Sequence, residues 1–245
     1  MRKTGHMSVG QGVLMLLFPP KCVGCGELMP LKDGMTHVFC PFCRTKWEAS
    51  RLDPQERILS WDDSVCGLVS VVGYTSGKAE GIPERLIYHL KHKDESRVFK
   101  YAAREMWPLL CDILQTRDAS QENILITYPP RRRSALVKEG FDQARRLAEA
   151  LSKLSGWPVE TLLERTLSGR RAQKKLNAEA RAENAVKAYR ISRDVVELSN
   201  TTVILVDDLY TTGATLRTCA DLLIETGAAR VILATLGRTT HHRGE

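Results

Sequence analysis

Residues 203–216 read Val-Ile-Leu-Val-Asp-Asp-Leu-Tyr-Thr-Thr-Gly-Ala-Thr-Leu. Val203 to Val206 is a short apolar run, rich in β-branched residues, of the kind that forms a strand buried on both faces. Two adjacent carboxylates, Asp207 and Asp208, end it. The Thr/Gly loop that follows opens a predicted helix with Leu216, Cys219, Ala220 and Leu223 at helical spacing, closed by Gly227. This order gathers backbone N–H donors, threonine hydroxyls and the positive end of a helix dipole, which suit a phosphate. The acids beside them suit sugar hydroxyls or a hydrated Mg²⁺. A phosphorylated sugar presents all of these needs together. Asp207 and Asp208 are the candidate catalytic pair, and Thr211, Thr212, Gly213, Ala214 and Thr215 the candidate phosphate cradle; the alternative is an ordinary βα turn with two capping acids.

A second constellation is Cys22-Val-Gly-Cys25 and Cys40-Pro-Phe-Cys43, two C-x2-C pairs with fourteen residues between them. Zn²⁺ takes four thiolates in a tetrahedron, and two short knuckles supply that geometry. A segment of this size cannot bury a self-sufficient core, so a structural metal would replace hydrophobic burial. Disulfides or free thiols are the alternatives. Cys66, Cys111 and Cys219 sit in apolar settings that suit a core.

A third constellation is Tyr128-Pro-Pro-Arg-Arg-Arg133, which follows a predicted strand. Arg131 and Arg132 are placed to meet a second anionic group such as pyrophosphate, or to form a solvated basic turn. Between Arg165 and Arg190 eight basic residues face only Glu179 and Glu183, so this stretch carries +6 of the chain's net +7. Arg170, Arg171, Lys174, Lys175 and Arg181 within it suit either a lid over an anionic ligand or a nucleic-acid contact.

The elements that must position these groups divide the chain near residues 50–62. We expect a four-cysteine, ribbon-like zinc-binding module over residues 1–58 and a second domain over 59–245. In the second domain the patterning predicts helices over 82–92 and 98–114, the latter bent at Pro108. It also predicts a strand over 124–127, a helix over 143–154 and a short strand over 159–163. Strand 203–206, helix 214–226 and strand 231–236 follow. This alternation implies an α/β fold, a parallel sheet with helices on both faces. The apolar run Val13–Phe18 is too short for a signal-peptide core or a membrane span, which indicates a cytoplasmic chain.

The 203–216 run resembles the signature of the type I phosphoribosyltransferases, which bind 5-phosphoribosyl 1-pyrophosphate (PRPP). With the four cysteines, Tyr128-Pro129-Pro130, Glu139-Gly140-Phe141-Asp142-Gln143 and the set Arg171, Gln173, Leu176, Arg181 and Asn184, the chain resembles the ComF family of competence proteins. The likeness runs from about residue 13 to 238. It implies a type I phosphoribosyltransferase fold, Mg²⁺ accompanying PRPP, and a structural Zn²⁺. It also implies a role in DNA uptake during natural transformation, with single-stranded DNA and competence proteins such as a helicase as partners. Glu139 and Asp142 stand where the family often has Arg and Asn, reducing positive charge beside the expected pyrophosphate site. Thr211 stands where the hypoxanthine-guanine transferases have an Asp that serves the base, so purine salvage of that type is not implied. The function is expected to be that of a PRPP-binding ComF-type protein. The alternatives are an active phosphoribosyltransferase of nucleotide metabolism and a non-catalytic PRPP sensor.

Overall fold

A computed structural model describes residues 19–30, 37–60, 65–75, 81–115, 123–166, 188–195 and 197–240. The first helix, α1 (Pro41–Ala49), starts at Cys40 with proline at its first position, where the missing N–H costs nothing, and it buries Cys43 and Trp47. A single turn, α2 (Pro54–Arg57), leads into β1 (Ile58–Ser60) and β2 (Val65–Tyr74). Helix α3 (Ile82–His92) buries Leu86, Ile87 and Leu90, and matches the predicted bounds. Helix α4 (Ser96–Gln115) runs through Pro108. Then come β3 (Asn123–Thr127), α5 (Arg133–Glu139) and α6 (Gln143–Ser155). Short strands β4 (Leu163–Arg165) and β5 (Tyr189–Ile191) precede β6 (Thr201–Tyr210), α7 (Ala214–Glu225) and β7 (Arg230–Thr239).

The main sheet has the order β1-β2-β7-β6-β3. Strands β2, β7, β6 and β3 are mutually parallel. These four strands bear out the expected parallel sheet, and β1 joins its edge antiparallel to β2. The strand expected over 159–163 is different. Val159 makes an isolated parallel bridge to Ile126, and the regular strand begins at Leu163, paired antiparallel to β5 in a separate two-stranded sheet.

Helices cover both faces. Ile204 and Val206 of β6 and Ile232 and Ala234 of β7 pack with α3, α4 and α6 on one side. Val203, Leu205, Val231 and Leu233 pack with α7, β4 and β5 on the other. This is the two-residue alternation of a strand buried on both sides. At the centre of the sheet the Ser70 and Thr235 hydroxyls satisfy each other across β2 and β7 at 2.8 Å.

The cysteine module packs against this core. Cys22, Val23, Met29, Phe39, Cys43 and Trp47 belong to the same apolar cluster as α3, α4 and α6. Phe39, Trp47 and Tyr101 of α4 form a three-ring contact with centroids 5.5–5.9 Å apart. Glu105 of α4 accepts hydrogen bonds from Trp47 Nε1 at 3.0 Å and from Arg51 Nη2 at 2.6 Å. Arg85 of α3 donates to the Gly24 carbonyl inside the first knuckle. Arg97 of α4 donates to the Lys21 carbonyl at 2.6 Å and the His37 carbonyl at 3.2 Å. Among the described residues, no helix is long and apolar enough to cross a membrane.

Candidate functional site

The carboxyl ends of β6 and its neighbours form one rim, and the 207–215 loop lies on it. A cavity of about 200 Å³ there is lined by Lys91 and by residues 207–216. Strand alternation sends the two acids different ways. Asp208 follows Ile204 and Val206 toward α3, where its Oδ2 lies 3.3 Å from Lys91 Nζ. Asp207 follows Val203 and Leu205 toward α7, close enough for its charge to oppose ionisation of Cys219. Burial, and next the neighbouring Asp208 charge, push the Asp207 carboxyl well above the usual carboxylate range. The Asp208 backbone N–H donates to Asp207 Oδ1 at 2.8 Å. Asp208 is only 4% exposed, and its buried Oδ2 has no hydrogen-bond donor. A buried carboxylate oxygen whose one partner is the Lys91 ammonium, beside a second acid, suits a hydrated divalent cation or a sugar hydroxyl.

The loop itself turns sharply. Gly213 caps α7 with φ 76°, in the left-handed region, and a Cβ there would strike the Tyr210 side chain. Only glycine serves both requirements. The Tyr210 ring folds back over the loop, and its hydroxyl accepts from Arg217 Nε at 3.1 Å. Thr211 and Thr212 are exposed, while Ala214 and Thr215 are half-buried, so the start of α7 opens to solvent. The Ala214 N–H donates to Thr212 Oγ1 at 3.4 Å, and N–H groups at a helix start, which no carbonyl of the helix reaches, suit an anion. The structure therefore brings Asp207, Asp208, Thr211, Thr212, Gly213, Ala214 and Thr215 together as the sequence implied.

The arginines are placed differently. Arg131 lines a separate cavity of about 660 Å³, with Tyr128, Phe141, Asp142, Arg145 and Arg146 among its walls. Its backbone N–H donates to Asp142 Oδ2 at 3.0 Å, and its Nη1 donates to the Phe141 carbonyl at 3.2 Å. Arg132 is exposed at the start of α5. Neither lines the 207–216 cavity. The two acids at departures from the family pattern have partners. Asp142 caps α6, its Oδ1 accepting from Ala144 N at 3.1 Å and Arg145 N at 3.3 Å. The His92 ring beside Glu139, 3.0 Å away, holds that carboxyl below the usual range.

Four cation-bearing candidates, Arg170, Arg171, Lys174 and Lys175, lie with Arg181 outside the described residues. The flanks of that stretch are visible. Strands β4 and β5 bring its two ends side by side, with Thr166 N donating to the Ala188 carbonyl at 2.9 Å. Arg165 Nη1 donates to the Tyr189 hydroxyl at 2.7 Å, and Tyr189 reaches the Thr215 side chain of the loop. Sequence alone assigns no site role to Lys91, and shows Tyr189 and Tyr210 only as an aromatic of the basic stretch and a member of the acid–threonine motif. Lys91 left a faint trace as a cation in the last turn of an amphipathic helix, with nothing to tie it to an acid in a distant strand.

The four cysteine sulfurs lie within 4.8 Å of one another. A tetrahedral site with Zn–S bonds of about 2.3 Å has edges of about 3.8 Å, and Cys25 Sγ lies 3.9 Å from Cys40 Sγ. The first knuckle closes through Gly26 N donating to the Cys22 carbonyl at 2.8 Å. Gly24 packs so closely on Cys43 that a Cβ would overlap its sulfur. Burial opposes ionisation of Cys22, yet N–H donors from Cys40, Cys25 and Gly24 bring its thiol down to about 7. Such a set can hold a metal such as zinc. Cys219 is fully buried, Cys111 is half-buried, and the Cys66 side chain lies outside the described residues.

Residues 138–245 match the family model described as Phosphoribosyl transferase domain. The chain is also 29% identical to DNA utilization protein YhgH of Salmonella typhimurium over 177 residues, covering 70% of this chain and 72% of that protein. Among solved structures it is similar to phosphoribosylpyrophosphate synthetase from Mycobacterium smegmatis, at 24% identity and TM-score 0.33, covering 53% of this chain but only 32% of that one. It is similar also to purine phosphoribosyltransferase from Pyrococcus horikoshii Ot3, at 17% identity and TM-score 0.31, covering 56% and 73% of the two chains. The transferase domain, the likeness to YhgH and the cysteine cluster bear out the resemblance to the ComF type.

The raised Asp207 carboxyl predicts a stability difference with a definite sign. A carboxyl whose folded pKa exceeds its unfolded value, about 3.9 for Asp, costs the folded state stability as pH rises through the window above that value. Asp207→Asn removes this cost. Thermal unfolding of the ligand-free variant should show a midpoint above wild type at pH 7, and the gain should vanish below pH 4.

Proposed function

We propose that the chain is a cytoplasmic ComF-type protein that binds PRPP with Mg²⁺ at the 207–215 loop and serves the handling of incoming single-stranded DNA. The observation that carries the PRPP reading is the buried acid pair, Asp208 with its Oδ2 met by the Lys91 ammonium and Asp207 beside it, opposite the open start of α7. Amides and hydroxyls of Thr211 to Thr215 receive the 5-phosphate, and the two acids receive the ribose hydroxyls. The acids would also hold Mg²⁺, which when bound neutralises charge on the pyrophosphate. Arg131 and Arg132 stand outside the 207–216 cavity, on the neighbouring strand end, and would serve the pyrophosphate only where it extends beyond that cavity. Replacing both Asp207 and Asp208 with Asn removes hydrogen bonds to charged groups, worth about 1.5–3 kcal/mol. Calorimetry with Mg²⁺ and PRPP should show affinity reduced about ten- to hundredfold, and equal affinities would exclude the loop.

The cysteine cluster is read as a structural Zn²⁺ site formed by Cys22, Cys25, Cys40 and Cys43. Elemental analysis of purified protein should find about one zinc per chain, as four-thiolate sites bind one ion. Cys40→Ser should lower both the metal content and the unfolding midpoint.

The DNA role rests on the likeness to a DNA utilization protein and on the +6 stretch between Arg165 and Arg190. Its flanks meet beside Thr215, which supports both a lid and a strand contact continuous with the loop. Neutralising Arg170, Arg171, Lys174 and Lys175 together should flatten the salt dependence of single-stranded DNA binding. Four lost phosphate contacts reduce the log–log slope by about 3. An unchanged slope assigns the stretch to lid duty alone. A helicase-type competence protein is the expected partner of the DNA-bound form. The larger cavity beside Arg131 favours one second reading, an active phosphoribosyltransferase with an acceptor seated there. Pyrophosphate released from PRPP only when a candidate base is added would establish it.

A further inference from the structure

One cationic side chain lines the 207–216 cavity among the described residues, and it is Lys91. It is carried by α3, before the first residue of the matched transferase segment at 138. The last turn of α3 holds three basic residues, His89, Lys91 and His92. Two of them are engaged elsewhere: His89 lies 3.3 Å from Glu95, and His92 lies 3.0 Å from Glu139. Lys91 alone turns to the acids, 3.3 Å from Asp208 Oδ2, and its side chain stays one-third exposed. Its position is fixed from behind. Leu86, Ile87 and Leu90 are buried in the core, and Arg85 is tied to the Gly24 carbonyl.

The electrostatics of the cavity call for such a residue. Two carboxylates line it, and a sugar phosphate carrying a diphosphate brings more negative charge than one Mg²⁺ removes. Strand alternation then decides which end of the ligand Lys91 can meet. The amide cradle belongs to α7, on the face toward which Asp207 points. Asp208 and Lys91 belong to the opposite face. The 5-phosphate occupies the α7 side, so the charge near Lys91 comes from the other end of the molecule.

We infer that Lys91 is a diphosphate-binding residue, paired with Asp208 while the site is free and turned to the diphosphate of the ligand when it arrives. This rests on the reading of the loop as a PRPP site. In the free protein the ammonium compensates a buried carboxylate that has no hydrogen-bond donor. On binding, metal and hydroxyls satisfy Asp208, and the released ammonium meets a phosphate oxygen, a charge-assisted contact of the strong kind.

The test uses full-length protein and three probes in calorimetry: Mg²⁺ with PRPP, Mg²⁺ with inorganic pyrophosphate, and ribose 5-phosphate. Lys91→Met should weaken the first two about tenfold, as expected for one lost charge-assisted hydrogen bond, and leave ribose 5-phosphate within twofold of wild type. Lys91→Arg, which keeps the charge, should restore most of the affinity and guards against a folding defect in the first variant. Equal losses for all three probes would overturn the assignment, since a structural role through Asp208 acts on the whole ligand. Unchanged binding of PRPP by Lys91→Met would also overturn it while leaving the loop as the PRPP site. A wild-type protein that binds none of the probes removes the PRPP reading, and this inference with it.

Discussion

Two consecutive carboxylates at the end of a strand buried on both faces are the constraint around which the site is arranged. Alternation sends Asp207 and Asp208 toward opposite layers of the sheet, although both line one cavity. Each layer answers with its own chemistry. On the α3 side a lysine ammonium meets Asp208. On the α7 side a helix start, with its N–H groups and positive dipole end, favours negative charge nearby. Burial still lifts the Asp207 carboxyl above its ordinary range. The free protein thus holds an unfavourable cluster, the kind of cost that functional sites set against stability.

The cysteine module is joined to the rest of the molecule by packing and by polar bonds. Trp47 is fully buried, and its indole N–H is satisfied by Glu105 on α4. Arg85 and Arg97 reach carbonyls within the module from α3 and α4. These ties reach well beyond the two cysteine knuckles. Here the knuckles, the aromatic contact and α3 share one apolar cluster, so the ligand loops and the helix that carries Lys91 are held by the same core.

Much of this was legible in the residues. Helix α3 announced itself through Pro83 near its start and Leu86, Ile87 and Leu90 on one face. The acids, the Thr/Gly loop and α7 form a local motif whose geometry depends on neighbours in sequence. The two C-x2-C pairs were equally local. What escaped was non-local. Strand β2 carries Gly67 and Ser70, which weaken its pattern, and Ser70 is explained only by Thr235 in a strand 165 positions away. Strand β1 has three residues and gains its place from β2. Lys91 and Asp208 meet because α3 packs over β6 and β7. Asp142 stood out by type, but its duties as helix cap and acceptor for the Arg131 N–H come from the turn that joins them.

The position of β2 has a consequence for how such a chain can be dismembered or inherited. Residues 138–245, where the family likeness is recognised, supply only β6 and β7 to the five-stranded sheet; β1, β2 and β3 come from upstream. Strand β7 lies between β6 and β2, so excising the recognised portion exposes its hydrogen-bonding edge along ten residues, together with the apolar faces meant for α3 and α4. Bare edges of that kind invite pairing with other chains. The part of the sequence that kinship recognises is thus not a part that can travel alone, and shuffling of the domain between proteins must carry the upstream strands with it.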